Sequence, residues 1–198
     1  MAAASTHAGE EAFMIAAHVR LRATFPGLLT LIAPRHPERG PGVVEIAAAA
    51  GLSTGLRSRG ELPTRTTDIY VADTVGELGL IYRLAPVVFI GGSLVRHGGQ
   101  NPIEAAKLGA AILHGPHVWN FAEIYAALDG ARGAEAVLDA DRLTAGLAAL
   151  IGQPAVRARV TEAARNTVDA LGGALERTLQ SLEPYLMQLV LRQRTGHA

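Results

Sequence analysis

Four polar clusters in the sequence carry residue types suited to an anionic, sugar-bearing ligand. The first three are Ser5-Thr6-His7-Ala8-Gly9-Glu10, Pro34-Arg35-His36-Pro37-Glu38-Arg39 and Asp73-Thr74-Val75-Gly76-Glu77-Leu78. The fourth runs from Gly91-Gly92-Ser93-Leu94 through Gly98-Gly99-Gln100-Asn101-Pro102-Ile103-Glu104. Glycines that follow a strand let backbone N–H groups approach an anion closely, and a following helix start adds partial positive charge. Arg35 offers a fork of donors to phosphate or carboxylate. Glu104 suits the hydroxyls of a ribose. Together the clusters describe a site for a nucleotide joined to an anionic sugar.

Each cluster also has a plainer use. Asn101-Pro102-x-Glu104 is a good helix start, with Asn as N-cap, Pro at the first position and Glu at the third. Thr74 and Glu77 have the spacing of a capping box. Gly91-Gly92 suits a tight turn, and Arg39 beside Glu38 suits a solvated pair. His114-Gly115-Pro116-His117 suits a strand-exit loop. The histidines show no H-x-x-x-H spacing, so no metal is expected. Neither the P-loop pattern nor G-x-G-x-x-G after a strand is present, which argues against P-loop and dinucleotide enzymes.

These clusters need a scaffold that gathers them. Short apolar runs at Leu28–Ala33, Asp68–Ala72, Val87–Ile90 and Ala111–Leu113 lack strict alternation, as expected of parallel strands covered on both faces. Between them lie helical patterns. Leu78, Ile81, Tyr82 and Ala85 fall on one helical face. The β-α-β-α order predicts a doubly wound α/β sheet, whose ligands bind beyond the carboxyl ends of the strands. All four clusters fall at such ends. The run Met1–Ala4 reads as a stub of a first strand, cut or simply short, because a strand of about five residues is expected there. From Asp141 the pattern is helical to the end, with breaks near Gly152-Gln153-Pro154 and Gly172-Gly173.

Composition narrows the function further. The 198 residues suffice for one sizeable core. Apolar residues make up 49%, too many for a disordered chain. Lys+Arg and Asp+Glu are both 18, so no net positive field favours nucleic acid as a partner. No cysteine is present, which excludes disulfides and thiolate metal sites and fits a reducing, cytoplasmic compartment. No apolar run reaches membrane-spanning length, and the first residues lack a signal-peptide layout.

The order and spacing of the motifs are more specific than any motif alone. The series Ala3-Ala4-Ser5-Thr6-His7-x-Gly9-Glu10, Ala33-Pro34-Arg35-His36-Pro37-Glu38-Arg39, Asp73-Thr74-x-Gly76-Glu77-Leu78, Phe89-x-Gly91-Gly92-Ser93-Leu94, Gly98-Gly99-x-Asn101-Pro102-x-Glu104-Ala105 and Gly115-Pro116-His117-x-x-Asn120-Phe121 resembles the C-terminal half of 3-deoxy-D-manno-octulosonate (Kdo) transferases. The resemblance runs from Ala3 to about Leu179. Gln100 departs from it, standing where the family usually has His. The resemblance implies a Rossmann-like parallel sheet with flanking helices, the donor half of a two-domain GT-B glycosyltransferase that uses CMP-Kdo without a metal or other cofactor. It implies that Ser5, Arg35, Gly76, Gly92 and Ser93 meet the phosphate or Kdo carboxylate, and Asn101 and Glu104 the ribose and its neighbours. Thr6, His7, Glu10, His36, Glu77, Gly91, His117 and Asn120 complete the expected donor site. The acceptor domain, the lipid A precursor it binds, the general base and the contact with the cytoplasmic face of the inner membrane are implied to lie outside this sequence, so no catalytic base is expected here. A stand-alone nucleotide-binding module and another GT-B-like nucleotide-sugar enzyme are the alternatives.

Overall fold

A computed structural model describes residues 1–172. Seven parallel strands form one sheet. They are β1 (Ala2–Thr6), β2 (Thr30–Pro34), β3 (Thr54–Leu56), β4 (Ile69–Val71), β5 (Val87–Ile90), β6 (Ala111–His114) and β7 (Ala134–Ala136). Their order is β3-β4-β2-β1-β5-β6-β7. The direction of winding therefore reverses between β1 and β5, and a crevice opens at such a switch point beyond the carboxyl ends.

The helices are α1 (Glu10–Leu21), α2 (Gly40–Ala49), α3 (Leu78–Leu84), α4 (Ile103–Lys107), α5 (Ala122–Gly130), α6 (Ala140–Gly152) and α7 (Pro154–Gly172). Strand side chains alternate between two apolar layers. Ala3, Ile32, Val71, Phe89 and Leu113 pack with Met14 and Ile15 of α1, Val43 of α2 and Leu143 and Leu147 of α6. Leu31, Tyr70, Val88, Ile90 and Ile112 pack on the other face with Ile81 and Tyr82 of α3, Ala105 of α4, Leu128 of α5 and Val168 of α7. The central strands are buried on both faces, which is why their sequences are continuous apolar runs.

The four strands read from sequence are present, each within two residues of its expected ends. Three points differ. β1 is not a stub: Ala2–Thr6 is a five-residue strand between β2 and β5, fully buried along its length. Three small alanines make its run look weak, yet Ala3 is buried in one apolar layer and Ala2 and Ala4 in the other. β3 and β7 are three-residue edge strands, too short to stand out as apolar runs. The capping box at Thr74 and Glu77 does not form. Glu77 is itself the N-cap of α3 without a side-chain cap bond, and its carboxylate turns to Arg57.

The proposed Asn101 cap is present one position displaced. Its side-chain oxygen accepts the N–H of Ile103 at 2.9 Å, while Pro102 takes the N-cap place of α4. The helical C-terminal portion is α6 and α7, broken at Gln153 as expected. The part of that expectation beyond Gly172, including the break at Gly172-Gly173, lies outside the described residues.

Candidate donor-nucleotide site

A pocket of about 350 Å³ lies beyond the carboxyl ends of β1, β2, β4 and β5. Its polar wall includes Ser5, Arg35, Thr74, Gly76, Gln100, Asn101 and Glu104. Pro34, Leu78, Ile81 and Tyr82 supply its apolar surface. Side chains from all four clusters thus converge on or beside the switch point.

Ser5 sits where β1 gives way to the pocket. Its φ of 56° is left-handed, and the register between β1 and β2 shifts across it, from Ala4 opposite Ala33 to Thr6 opposite Pro34. A non-glycine residue held there costs roughly 1–3 kcal/mol and persists only where its surroundings demand it. The bulge brings the Ser5 carbonyl so close to β5 that a Cβ on Gly91 would lie 2.5 Å from it. Gly91 is therefore a spacer that admits the bulge, and its own N–H donates to Ala4 at 2.8 Å.

Arg35 follows β2. Its backbone N–H donates to the Thr6 carbonyl at 2.9 Å, which fixes its start. The side chain is exposed on the pocket wall, and among the described residues its guanidinium has no hydrogen-bonding or ionic partner. Arg39, four residues on, is different. It does not pair with Glu38 as expected. It grips Glu11 with two hydrogen bonds of 2.6 and 3.1 Å, and Thr6 Oγ1 donates to the same carboxylate at 2.8 Å. Glu11 is fully buried, so Arg39 neutralises a charge within the fold. Glu38 lies 3.8 Å from His36 instead.

The loop after β4 carries Thr74 and Gly76 into the pocket, Gly76 with a φ of 87°. Two tethers hold it to the segment after β3. Asp73 accepts hydrogen bonds from Ser58 N–H at 2.8 Å and Ser58 Oγ at 2.6 Å. Glu77 pairs with Arg57 at 2.8 Å and also accepts from Thr74. The Arg57 hydrogen bonds, then the Thr74 hydroxyl, hold the Glu77 carboxyl far below the usual range, at about 2. Sequence reading missed Arg57 and Ser58, because the short β3 that delivers them gives no periodic signal.

The glycine-rich stretch after β5 behaves unlike its sequence. Glu10 is fully buried and its carboxylate accepts the N–H groups of Gly92 at 2.7 Å, Ser93 at 3.0 Å and Leu94 at 3.0 Å. The N–H of His7 adds a bond of 2.9 Å. The backbone donors expected to face a ligand phosphate are thus turned to an internal carboxylate. Ser93 Oγ donates to the Ile90 carbonyl at 2.5 Å and accepts the Gly115 N–H at 2.8 Å, so it is also committed within the fold.

The histidines flank the pocket. The rings of His7 and His97 stack 3.7 Å apart, His36 stands edge-on to His7 at 6.0 Å, and the Gln100 amide donates to His7 Nε2 at 3.2 Å. Burial first, then the positive charges of His97, His36, Arg39 and Arg35, push the His7 pKa down to about 4. His7 is therefore neutral at neutral pH. His117 and Asn120 do not line the pocket. The His117 N–H donates to the Ser93 carbonyl at 2.9 Å, and the Asn120 side chain donates to the His97 carbonyl at 3.2 Å, so both brace the turns around Gly98. Asn101 and Glu104 do line it, and Glu104 is exposed.

Comparison with known proteins bears on the family and the fold of the chain. No protein-family model matches the chain. It is 38% identical over 185 residues to 3-deoxy-D-manno-octulosonic acid transferase of Haemophilus influenzae, covering 93% of this chain and 43% of that protein. It is 40% identical over 192 residues to the enzyme of the same name from Bordetella pertussis, covering 94% and 44%. The chain thus spans a little under half the length of these curated relatives. A crystal structure of the C-terminal CMP-Kdo binding domain of WaaA from Acinetobacter baumannii superposes with a TM-score of 0.81 at 32% identity, covering 84% of this chain and 87% of that one. The all-parallel sheet with its flanking helices is that of a GT-B glycosyltransferase half. By identity, coverage and fold, the chain belongs to the 3-deoxy-D-manno-octulosonic acid transferase family.

Proposed function

We propose that this chain is the donor half of a glycosyltransferase, binding CMP-Kdo so that an acceptor-binding domain of the same enzyme can pass Kdo to the lipid A precursor of lipopolysaccharide. The observation that carries the reading is the open pocket at the switch point, with the Arg35 guanidinium, which has no partner among the described residues, on its wall. In this reading Arg35, Ser5 and Gly76 meet the phosphate, and Asn101 and Glu104 meet the ribose. The leaving CMP is stabilised by protein groups in place of a metal ion. The A. baumannii neighbour is a CMP-Kdo binding domain, and CMP-Kdo is the ligand this chemistry suits. A stand-alone nucleotide module and a nucleotide-sugar epimerase are less well supported, because the named relatives are Kdo transferases.

The general base belongs to the acceptor domain in this reading. Glu10 is enclosed by backbone N–H groups, Glu11 by Arg39, and Glu77 by Arg57. None of these three is free to take a proton from an acceptor hydroxyl, and the exposed Glu104 on the pocket wall is the carboxylate this reading gives to the ribose. The intact enzyme works at the cytoplasmic face of the bacterial inner membrane, where its lipid acceptor lies. Among the described residues no helix is long and apolar enough to cross a membrane. Calorimetry with CMP tests the binding half of the proposal, and a transferase assay with CMP-Kdo and the lipid acceptor tests the other. Weak CMP binding without Kdo transfer is expected. A folded chain that ignores millimolar CMP contradicts the first half, and turnover matching a two-domain enzyme contradicts the second.

A further inference from the structure

Successive backbone N–H groups that converge on one point make a concave anion site, and in a nucleotide-binding sheet the loop after a central strand is a natural place for phosphate. Here the loop after β5 makes such a cradle, but the anion inside it belongs to the chain. Glu10 Oε1 accepts Ser93 and Leu94 N–H at 3.0 Å each, and Oε2 accepts Gly92 N–H at 2.7 Å and His7 N–H at 2.9 Å. The residue is 0% exposed. The cradle adjoins the nucleotide pocket on two sides: Gly91 touches the Ser5 bulge, and a Cβ on Gly92 would meet the Gln100 amide, itself on the pocket wall, at 3.5 Å.

We infer that Glu10 is a built-in anion that sets the phosphate count of the donor: by filling the glycine-loop cradle it limits the site to a nucleoside monophosphate and rejects a diphosphate. The inference rests on the nucleotide-binding reading above and adds to it the residue that decides between the two donor classes. One anion is received at Ser5, Arg35 and Gly76. A second phosphate needs a second set of donors, and the set the fold offers next to the first already holds a buried carboxylate. Its charge also repels a further phosphate placed beside it, so rejection combines absent donors with like-charge repulsion. Glu10 touches no ligand; it acts through the loop, as a positioning and selecting residue.

The test is the ratio of CMP to CDP affinity, measured by calorimetry for the wild-type chain, Glu10→Ala and Glu10→Gln, each with and without sodium formate. The wild type is expected to bind CDP more weakly than CMP. Glu10→Ala is expected to shift the ratio at least tenfold toward CDP, and formate, which refills the cradle, to reverse that shift. A structural role alone predicts loss of both affinities together with no effect of formate. Should Glu10→Ala not hold its fold, Glu10→Gln keeps the volume, removes the charge and is read by the same ratio. A wild type that binds CDP as tightly as CMP or more tightly, or a folded variant with an unchanged ratio, overturns the inference. A wild type that binds neither nucleotide sinks the nucleotide reading itself, which is a separate outcome.

Discussion

Two places at the same end of the sheet are built to receive negative charge, and they differ in who supplies it. Beside β5, the Gly92–Leu94 N–H groups enclose the Glu10 carboxylate, and nearby Arg39 encloses Glu11. Beside β2, Arg35 faces an open pocket with no partner among the described residues. The first region is closed and neutralised within the fold. The second keeps its donors for something that is not part of the chain. A glycine-rich loop and an arginine are therefore not sites by composition. What separates a structural cation from a binding one is whether a buried carboxylate already answers it.

Exchanging partners between the two regions tests this contrast. The largest effect is expected from Arg39→Ala, which strands the fully buried Glu11 charge and should cost about 3 kcal/mol or more in a denaturant titration. Arg35→Ala should leave stability within about 0.5 kcal/mol, as for an exposed residue without partners. Equal losses would erase the distinction. A smaller and opposite effect is expected at Ser5. Ser5→Gly removes the left-handed strain and should raise stability by about 1 kcal/mol while weakening CMP binding. A loss of stability would mean that the bulge is not strained.

The smallest effect concerns pH. The His7 pKa falls from its ordinary 6.5 to about 4 on folding. The unfolded chain therefore binds the extra proton first as pH falls, so stability is full above about 6.5 and declines toward 4. His18 has a lowered pKa as well, chiefly from burial, and contributes in the same direction below 6.5. Thermal melts of His7→Gln across this window should show a shallower decline than the wild type. Parallel curves would show that His7 titrates freely.

The architecture was largely legible in the sequence because the buried strands are continuous apolar runs, and α3 announced itself through Leu78, Ile81 and Tyr82. β1 misled because alanine carries little strand signal, although Ala2, Ala3 and Ala4 are all fully buried at the centre of the sheet. Of the expected site, Ser5, Arg35, Gly76, Asn101 and Glu104 do line one pocket. Glu10, Gly92 and Ser93 were read as ligand-facing because a sequence cannot show that Glu10, more than 80 positions earlier, folds into the cradle those residues form. Glu77 and Thr74 had capping spacing, but Arg57 draws the carboxylate away. Arg39 had Glu38 for a neighbour in sequence and Glu11 for a partner in space. In each case the local pattern was correct as chemistry and a long-range partner decided its use.

The central claim is that the open pocket beside Arg35 holds the donor nucleotide phosphate. Calorimetric titration of CMP into the wild type and into Arg35→Ala, at one ionic strength and with both chains shown to be folded, tests it most directly. A hydrogen bond to a charged group contributes roughly 1.5–3 kcal/mol, so Arg35→Ala should bind CMP about tenfold or more weakly with its melting temperature unchanged. CMP affinity identical in the two proteins would contradict the claim and remove Arg35 from the site.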